Sequence, residues 1–372
     1  MVNAEAQLLG EHGHEVMKYE RTNAEITEDG TLADKIRAFR DVAWSEKSYR
    51  EVKKVIQDFR PDIMHVHNYW LVLTPSIFAA AKDCGVKTVL TLHNYRLICP
   101  GGQLLRKGKV CEICLKRSPY RVLLHRCFPG KSLLKSYLSL VLYNETKKRR
   151  FLAEWVDAYV ALSEFGRSKF IEAGLPKDKV FVKPNFMDDP ANGALPGKSE
   201  TWGALYAGRV SSEKGIETLL RAWQGLDYQL WVAGDGPLLE DMRRKKVSSV
   251  QFLGLQSHEE TMRWLRETAI FIFPAWVYEG FPLSLLEAMA MGKAIIASDL
   301  RPRREMIDDG VSGLLFEAGN TDDLRTKIAT LIRDQALRER LGQAARATYL
   351  ARYTPEKNYD ILLSIYEHVL QS

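Results

Sequence analysis

Short apolar runs of strand type alternate with longer amphipathic stretches along almost the whole chain, and this alternation constrains the fold most. Apolar runs that end in polar residues or glycine, each followed by a helix-periodic stretch, are typical of parallel strands covered by helices. The alternation pauses after residue 184 and then starts again. Because 372 residues are roughly twice the ~150 typical of one domain, the sequence predicts an α/β chain with two doubly wound parallel sheets.

The first half, residues 1–185, is predicted to form an N-terminal Rossmann-like domain. Its strands are Ile63–Val66, Lys87–Leu92, Ala158–Leu162 and Val180–Val182, and its helices include Asp34–Phe59 and Pro75–Lys82. A further helix is expected after Ser163, because Ser163 can cap it, Gly174 can end it and Pro176 stops it.

The second half, residues 186–352, is predicted to form another Rossmann-like domain after a linker. The stretch 184–198 is dense in Pro, Gly, Asn and Asp, which indicates such a linker. The predicted strands are Ala204–Ala207, Gln229–Val232, Val250–Leu253, Ile270–Phe273, Ala294–Ala297 and Gly313–Phe316. Residues 353–372, which begin at a Tyr-Thr-Pro break, are expected to form a last helix that packs back on the N-terminal domain.

Composition narrows the classes of function. Hydrophobic residues at 46% and charged residues at 27% supply ordinary cores without the self-repulsion of a disordered chain. A formal net charge of +6 is too small for a protein that binds duplex nucleic acid, and it fits anionic small ligands or a lipid surface better. No run approaches the ~20 apolar residues that span a bilayer, and the N-terminus has no signal pattern. The cytoplasm is the expected compartment.

Two glutamates eight positions apart, Glu279 and Glu287, bracket a predicted strand-to-helix turn. Pro282 fits the first turn of this helix, so Glu279 would lie in the loop and Glu287 about two turns into the helix. Free N–H groups at a helix start suit a diphosphate or sugar oxygens, and two carboxylates suit the hydroxyls of a sugar and a ribose. The alternative is a solvated turn residue and an exposed helix charge.

Two glycine-containing turns follow neighbouring predicted strands. Residues 208–215, GRVSSEKG, place Arg209 and Lys214 at the crevice edge, where their cations would neutralise a pyrophosphate. Residues 234–237, GDGP, permit close backbone approach at Gly234. Taken alone, the first turn is equally well a basic turn with a lysine at a helix start, and the second is common in α/β domains.

The order of these segments carries a resemblance to a known family. GRVSSEKG, GDGP, EGFPLSLLEAMAMGK and DGVSGLLF together resemble the C-terminal domain of the retaining glycosyltransferases of family 4. In the first half, PDIMHVHN, TLHNYRLICP, ALSEFGRSKFIEAGLP and VKPN resemble the N-terminal domain of the same family. The resemblance implies the GT-B fold, in which two Rossmann-like domains face each other across a cleft.

The resemblance also implies an activity. A retaining transferase of this family would move a sugar from a nucleotide-diphosphate sugar, with a UDP-sugar such as UDP-glucose as the first expectation, and would need no cofactor. The acceptor would be a glycan or a lipid-linked molecule in polysaccharide biosynthesis. Two alternatives remain open at this point: another GT-B enzyme such as a nucleotide-sugar epimerase, or a zinc-dependent nucleic-acid-binding protein.

Site residues follow from the resemblance position by position. Arg209 and Lys214 would bind the donor diphosphate, Glu287 the ribose hydroxyls and Glu279 the transferred sugar. The remaining donor contacts would come from Gly234, Gly280, Phe281, Pro282 and Leu283. His93 matches the active-site histidine of the family and would contact the donor sugar or diphosphate; taken alone, it is a strand-end residue satisfied by backbone. His65 and His67 on the preceding strand are expected in the core or the cleft wall.

Four cysteines are crowded into one basic segment. Cys99, Cys111, Cys114 and Cys127 have eleven, two and twelve residues between successive members. One CxxC pair with two outlying cysteines is compatible with a tetrahedral zinc site, with reduced thiols or, less readily in a reducing compartment, with cystine pairs. Any metal held here would be structural, since the implied chemistry needs none.

A further segment bears on contact with membranes. Residues 131–151 interleave leucines and aromatics with basic residues, which fits either a core-facing helix or a helix on the anionic inner face of a membrane.

At the N-terminus, Ala4–Glu11 and the GHEV of residues 13–16 match the first helix of the family and the sequence after it. The strand and glycine loop that precede this helix in the family have no counterpart in these 372 residues. Either the chain is truncated or residues upstream of it are not included; if the segment is truly absent, we expect a less stable first domain and weak transferase activity.

Overall fold

The computed structural model describes residues 1–22, 41, 43–69, 72–106, 109–116, 119–125, 127, 133–148, 154–191, 193 and 202–372. The chain forms two compact units. The first comprises Met1–Arg106, Cys111–Pro184 and Tyr359–Ser372, and the second comprises Lys107–Val110 and Asn185–Asn358. In the part of the chain described, no helix combines the length and apolarity needed to cross a bilayer.

Parallel strands form the main sheet of each unit. The strands are β1 (Ile63–Val66), β2 (Lys87–Leu92), β3 (Leu105–Arg106), β4 (Lys109–Val110), β5 (Ala158–Ala161), β6 (Val180–Val182), β7 (Ala204–Ala207), β8 (Leu230–Ala233), β9 (Val250–Gly254), β10 (Ile270–Phe273), β11 (Ala294–Asp299) and β12 (Leu314–Glu317). The first sheet has the order β1-β2-β5-β6 and the second β12-β11-β10-β7-β8-β9. Every predicted strand is present, with bounds that differ from the prediction by at most two residues. The predicted α/β fold class is therefore confirmed.

Helices connect successive strands. They are α1 (Val2–Glu11), α2 (Glu46–Phe59), α3 (Ser76–Asp83), α4 (Ile113–Lys116), α5 (Arg121–His125), α6 (Leu133–Lys148), α7 (Glu164–Glu172), α8 (Ile216–Trp223), α9 (Leu239–Arg243), α10 (His258–Glu267), α11 (Leu283–Ala290), α12 (Arg301–Arg304), α13 (Thr321–Arg333), α14 (Gln335–Arg352) and α15 (Pro355–Gln371).

The described residues correct the predicted helix Asp34–Phe59, which is interrupted at residues 43–45. α2 begins at Glu46, because Ser45 has extended backbone angles and its side chain accepts a hydrogen bond from the backbone N–H of Ser48. Such a cap satisfies one of the unpaired N–H groups of a first turn. Residues 34–40 and 42 of the predicted helix lie outside the described residues. The predicted cap of α7 is confirmed, since Ser163 accepts from Gly166 N–H.

Both faces of the second sheet are buried. In β10, Ile270 and Ile272 enter one hydrophobic cluster while Phe271 and Phe273 enter another. Residues that alternate in a strand point to opposite faces, so a fully apolar strand needs cover on both sides. This requirement explains why continuous apolar runs marked the strands so clearly in the sequence.

The C-terminal part of α15 belongs to the core of the first unit. Ile365 and Val369 of α15 join Val89 of β2 and Val160 of β5 in one buried cluster. The last helix, predicted from its Tyr-Thr-Pro start, thus covers one face of the first sheet through residues 359–372.

Candidate functional site

The strand order of the second sheet creates a place where neighbouring loops diverge. β7 lies between β10 and β8, and the chain runs through β8 and β9 on one side before it returns to β10 on the other. In open parallel sheets such a reversal leaves a crevice outside the carboxyl ends of the two strands, where ligands bind. The loops after β7 and β10 carry the predicted residues Arg209, Lys214 and Glu279.

These two loops are fixed to each other through their backbones. Gly215 has a φ of 76°, and a Cβ placed there would lie 2.1 Å from the carbonyl oxygen of Pro274. The backbone N–H of Trp276 donates to the carbonyl of Glu213 at 3.1 Å, and its indole N–H donates to the carbonyl of Ser212. Because only glycine permits this approach, the loop after β7 has one defined position beside the loop after β10.

This contact brings Lys214 and Glu279 together. The ammonium of Lys214 lies 2.9 Å from a carboxylate oxygen of Glu279. The other carboxylate oxygen, Oε1, lies 3.7 Å from the guanidinium of Arg303. Glu279 is therefore held between two cations at the carboxyl edge of the sheet.

Arg303 is fully buried and secures the loop that carries Glu279. Its guanidinium donates to the carbonyl of Val277 at 2.6 Å and to the carbonyl of Ala275 at 3.3 Å. A buried cation requires such partners, because an uncompensated charge inside a protein is costly. Arg303 thus fixes the path of the chain immediately before Glu279.

Glu279 retains unused hydrogen-bonding capacity. Its Oε1 is buried and accepts no hydrogen bond among the residues that the structure describes, and only 20% of the side chain is exposed. The alternative of a solvated turn residue is therefore wrong. Buried polar atoms normally have a partner, so this oxygen is suited to a ligand hydroxyl.

The start of α11 differs in detail from the prediction. Pro282 is the residue before the first turn, with an extended ψ of 112°, and the helix begins at Leu283. Because the helix begins at Leu283, the N–H groups of Leu283 and Ser284 have no partners inside the helix. Glu287 is the fifth helical residue, about one turn in rather than two.

Glu287 is largely buried. Only 15% of its side chain is exposed, and Nδ1 of His258 lies 3.6 Å from Oε1. Burial raises the pKa of the Glu287 carboxyl, and the charge of His258 partly offsets the increase. The alternative of an exposed helix charge is wrong, because most of the Glu287 side chain is shielded from solvent.

Arg209 is exposed, and its backbone is held by a neighbour. The Tyr206 hydroxyl donates to the carbonyl of Arg209 at 2.6 Å. The guanidinium of Arg209 forms no ion pair with any residue in the described ranges. This cation is therefore available to an anionic ligand.

The backbone at Gly234 makes the close approach that the sequence predicted, and it approaches the loop after β7. Its φ is 138°, and a Cβ there would lie 1.9 Å from the carbonyl oxygen of Gly208. The carbonyl of Asp235 in the same turn accepts from the N–H of Val210 at 2.9 Å. The turn after β8 thus supports the backbone around Arg209.

His93 lies in the first unit, directly after β2. Its Nε2 is 2.9 Å from Nδ1 of His67, which follows the adjacent strand β1. The alternative that backbone satisfies His93 is therefore wrong for Nε2, whose partner is a side chain. Burial lowers the pKa of His93 to about 4, and the charge of His67 contributes in the same direction.

Comparison with known families identifies the chain. The sequence profile described as Glycosyltransferase Family 4 matches residues 2–189, and the one described as Glycosyl transferases group 1 matches residues 193–348. The first profile alone covers more than half of the 372 residues. The chain belongs to glycosyltransferase family 4.

Solved structures agree with this family 4 assignment at the level of the fold. Sucrose-phosphate synthase from Thermosynechococcus elongatus is similar over 100% of this chain and 92% of its own, with a TM-score of 0.67 and 18% identity. HepE from Anabaena in complex with UDP is similar over 85% of this chain and 82% of its own, with a TM-score of 0.62 and 18% identity. The GT-B fold class is confirmed.

A curated relative of the family 4 chain is a phosphatidyl-myo-inositol mannosyltransferase from Mycobacterium leprae. It is 32% identical over 178 residues, which are 45% of this chain and 47% of the relative. The matches span about half the length of the first curated relatives.

The four cysteines of this family 4 chain lie close enough for their charges to interact. Burial, with smaller contributions from Cys99, Cys127 and Cys111, raises the pKa of the Cys114 thiol to about 12. Cys99 Sγ and Cys127 Cβ both adjoin Gly101. All four are free thiols, and we call them the four-thiol cluster. Their sulfurs are spaced more widely than the group Glu5, His65 and His67, which alone among the described residues offers three metal-type ligands within 4.8 Å.

Sequence reasoning missed two groups of residues. Arg303 stands in a run of three arginines around Pro302. Such a run of charged residues predicts a solvent-exposed segment. Glu5 and Lys183 lie 178 positions apart, yet they form a buried ion pair of 2.6 Å. No local pattern could have indicated either role, because each depends on a distant partner.

Proposed function

We propose that this protein is a retaining glycosyltransferase that uses a nucleotide-diphosphate sugar, with a UDP-sugar such as UDP-glucose as the first candidate. The observation that carries the proposal is the arrangement at the β7/β10 crevice. The loop after β7 carries Arg209, which forms no ion pair among the described residues, and Lys214, which lies 2.9 Å from Glu279. Glu279 precedes the open start of α11, and its buried Oε1 accepts no hydrogen bond among the described residues. Cations and free N–H groups bind a diphosphate, and a carboxylate binds hydroxyls.

The donor would occupy the crevice in one orientation. Arg209 and Lys214 would hold the diphosphate, since Arg209 is unpaired within the described ranges and Lys214 stands at the loop end. The N–H groups of Gly280, Phe281 and Leu283 would approach the distal phosphate or the sugar. Glu287, one turn into α11, would accept hydrogen bonds from the ribose, and Glu279 would accept from the sugar.

The mechanism we propose needs no protein nucleophile. The bond between the anomeric carbon and the diphosphate oxygen breaks, and the acceptor oxygen forms its bond to that carbon on the same face. Arg209, Lys214 and the start of α11 stabilise the charge that develops on the departing diphosphate. The departing phosphate accepts the proton of the acceptor hydroxyl. Glu279 is paired with Lys214, which suits a carboxylate that binds hydroxyls rather than one that attacks carbon.

His93 would act on the donor from the first unit. The family resemblance implies that its imidazole would contact the donor sugar or diphosphate. Its lowered pKa of about 4 keeps the ring neutral near pH 7, which favours a contact with a hydroxyl over one with a phosphate.

The acceptor would be a glycan or a lipid-linked molecule. The relative named above is a phosphatidyl-myo-inositol mannosyltransferase. On α6, Leu133 and Tyr137 are one turn apart and 50% and 44% exposed, and on α5 Leu124 is 82% exposed. Exposed apolar residues within a basic segment favour peripheral contact with an anionic membrane surface, and we propose the cytoplasmic face as the place of action. Three basic residues of this segment, Lys131, Arg149 and Arg150, lie outside the described residues.

We also propose that the four-thiol cluster holds a structural zinc ion. Cys111 and Cys114 flank the start of α4, and Cys99 and Cys127 reach the same region from either side in sequence. Without a metal, burial keeps the Cys114 thiol protonated. Zinc would replace these protons and draw the sulfurs to about 2.3 Å from the metal.

A ligand panel tests the donor class. Thermal shift with UDP, GDP, ADP and dTDP should show that one nucleotide, UDP in our expectation, stabilises the protein most. A ligand at 100 times its Kd adds about 2.7 kcal/mol, which is roughly 5–10 °C for units of this size. UDP-sugars are then compared with UDP, and release of UDP is followed by coupled assay.

The panel also separates the alternatives. If no nucleoside diphosphate shifts the melting temperature at millimolar concentration, the proposed function is wrong. A nucleotide-sugar epimerase would convert the donor to its epimer without an acceptor, which chromatography of the donor detects. A nucleic-acid-binding protein would bind DNA or RNA with a strong dependence on salt.

A further inference from the structure

A buried cluster of ionisable side chains links α1 to His93 in the first unit. Glu5 of α1 is 4% exposed and Lys183, after β6, is 2% exposed. The Lys183 ammonium lies 2.6 Å from one carboxylate oxygen of Glu5. The other carboxylate oxygen lies 3.2 Å from Nδ1 of His65 and 3.3 Å from Nε2 of His67. We call these four residues the Glu5 cluster.

Glu5 is ionised within this cluster. Burial alone would raise the pKa of its carboxyl, but the hydrogen bond from His67 and the charge of Lys183 outweigh burial and hold it well below the usual range. The carboxylate is therefore a hydrogen-bond acceptor only. Lys183 supplies the positive charge that a metal ion would otherwise bring, so the cluster is complete as an ion pair.

This charge determines the position of each proton along the line to His93. Because Glu5 can only accept, the proton of a neutral His67 lies on Nε2. Nδ1 of His67 then carries a lone pair, and it lies 2.9 Å from Nε2 of His93. Nε2 of His93 must therefore donate, which leaves Nδ1 of His93 without a proton.

We propose that Glu5 and Lys183 are positioning residues that fix His93, through His67, as the Nε2–H tautomer and so present its Nδ1 as an acceptor for a substrate hydroxyl. This inference rests on the proposed function for the role of His93. It adds which group of the donor His93 would contact. The unprotonated Nδ1 of His93 accepts a hydrogen bond from a hydroxyl and repels a phosphate oxygen. It also explains why a glutamate and a lysine are buried in the first unit at all.

A charge swap tests the proposal directly. In E5K/K183E the buried pair is retained, but position 5 becomes a donor. His67 must then accept on Nε2 and donate from Nδ1, so His93 must accept on Nε2 and carry its proton on Nδ1. Long-range ¹⁵N–¹H spectra of histidine-labelled free protein, assigned with H93Q, report this tautomer without any substrate. The wild type should show Nε2–H for His93, and the swap should show Nδ1–H.

A second variant guards against a swap that fails to fold. His67→Phe removes the link and leaves the Glu5–Lys183 pair in place. We expect kcat to fall by about tenfold or more while KM for the donor changes less than twofold. Thr91→Val is the control, because it removes the 2.8 Å contact of Thr91 with His65 and leaves the line from Glu5 to His93 intact. It should keep the wild-type tautomer and kcat.

The outcomes separate this proposal from the function on which it rests. An Nδ1–H tautomer of His93 in the wild type, an unchanged tautomer in a folded swap, or a kcat of His67→Phe within twofold of wild type would each overturn it. If the tautomers follow the prediction in a protein that binds no nucleotide, the Glu5 cluster is supported and the proposed function is wrong.

Discussion

Replacement of Lys214 by alanine tests the charge balance of the crevice. In the free protein the ammonium of Lys214 lies 2.9 Å from Glu279. When a diphosphate binds, we expect Lys214 to contact it as well. Lys214→Ala therefore removes one cation from the diphosphate and also leaves the Glu279 carboxylate less compensated beside it. Both changes weaken UDP binding.

The size of the effect follows from the kind of contact. A hydrogen bond to a charged group contributes about 1.5–3 kcal/mol. At about 1.4 kcal/mol for each factor of ten, Lys214→Ala should raise the Kd for UDP about 10- to 150-fold. The repulsive part belongs to Glu279, so Lys214→Ala/Glu279→Gln should bind UDP several-fold more tightly than Lys214→Ala alone.

Isothermal titration of UDP into the wild type, Lys214→Ala, Glu279→Gln and the double variant measures two effects. One is the lost contact of Lys214 with the diphosphate, and the other is the repulsion by Glu279. Lys245→Ala is the matched control, since Lys245 is exposed on the same unit, away from the crevice loops. The melting temperature should stay within a few degrees in all variants, because Arg303 still holds the loop before Glu279. A Lys214→Ala affinity within twofold of Lys245→Ala would refute the site. A double variant no tighter than Lys214→Ala would refute the role of Glu279.

Four further predictions follow from the same contacts. Burial raises the pKa of Glu287, so UDP affinity should fall as the pH drops through this raised value, where the carboxylate gains a proton and loses an acceptor; titrations from pH 8 to 4.5 should show the loss in the wild type and not in Glu287→Gln. The four-thiol cluster should carry one zinc per chain, and less than about a tenth of an equivalent with four titratable thiols would contradict this. Gly234→Ala should destabilise the fold by roughly 1–3 kcal/mol, measured in urea, whereas Gly310→Ala, with open space around its Cβ position, should cost less. Sedimentation with vesicles should show salt-sensitive binding to anionic lipid and none to neutral lipid, and equal binding to both would argue against an electrostatic membrane surface.

The fold could be predicted because its signals are local. Strands β5, β7 and β10 are buried on both faces, so each appears in the sequence as an apolar run such as Ile270–Phe273. Caps and glycines mark the helix ends, and Ser163 is an example that the structure confirms. The interruption of the predicted helix Asp34–Phe59 at residues 43–45 was missed because the amphipathic pattern continues upstream of Ser45.

The candidate site could be predicted only in part. The spacing of Glu279 and Glu287 follows from one loop and one helix, so the sequence places them well. Their burial does not follow, because it depends on Arg303, Lys214 and His258 from other segments. The predicted alternatives of solvated carboxylates were wrong for this reason. The roles of the two domains, and of His93 and the cysteines, stay predictions.

The backbone contacts of the crevice bear on how such a site could work. Gly215 packs on Pro274, and Gly234 packs on Gly208, in each case with no room for a Cβ. The loops that carry Arg209, Lys214 and Glu279 are therefore fixed by close backbone packing before any ligand arrives. Charges held in place in advance stabilise a developing diphosphate without the cost of reorganisation. If the proposed function is right, Gly215 and Gly234 would therefore contribute to leaving-group stabilisation by fixing the loops that carry these cations.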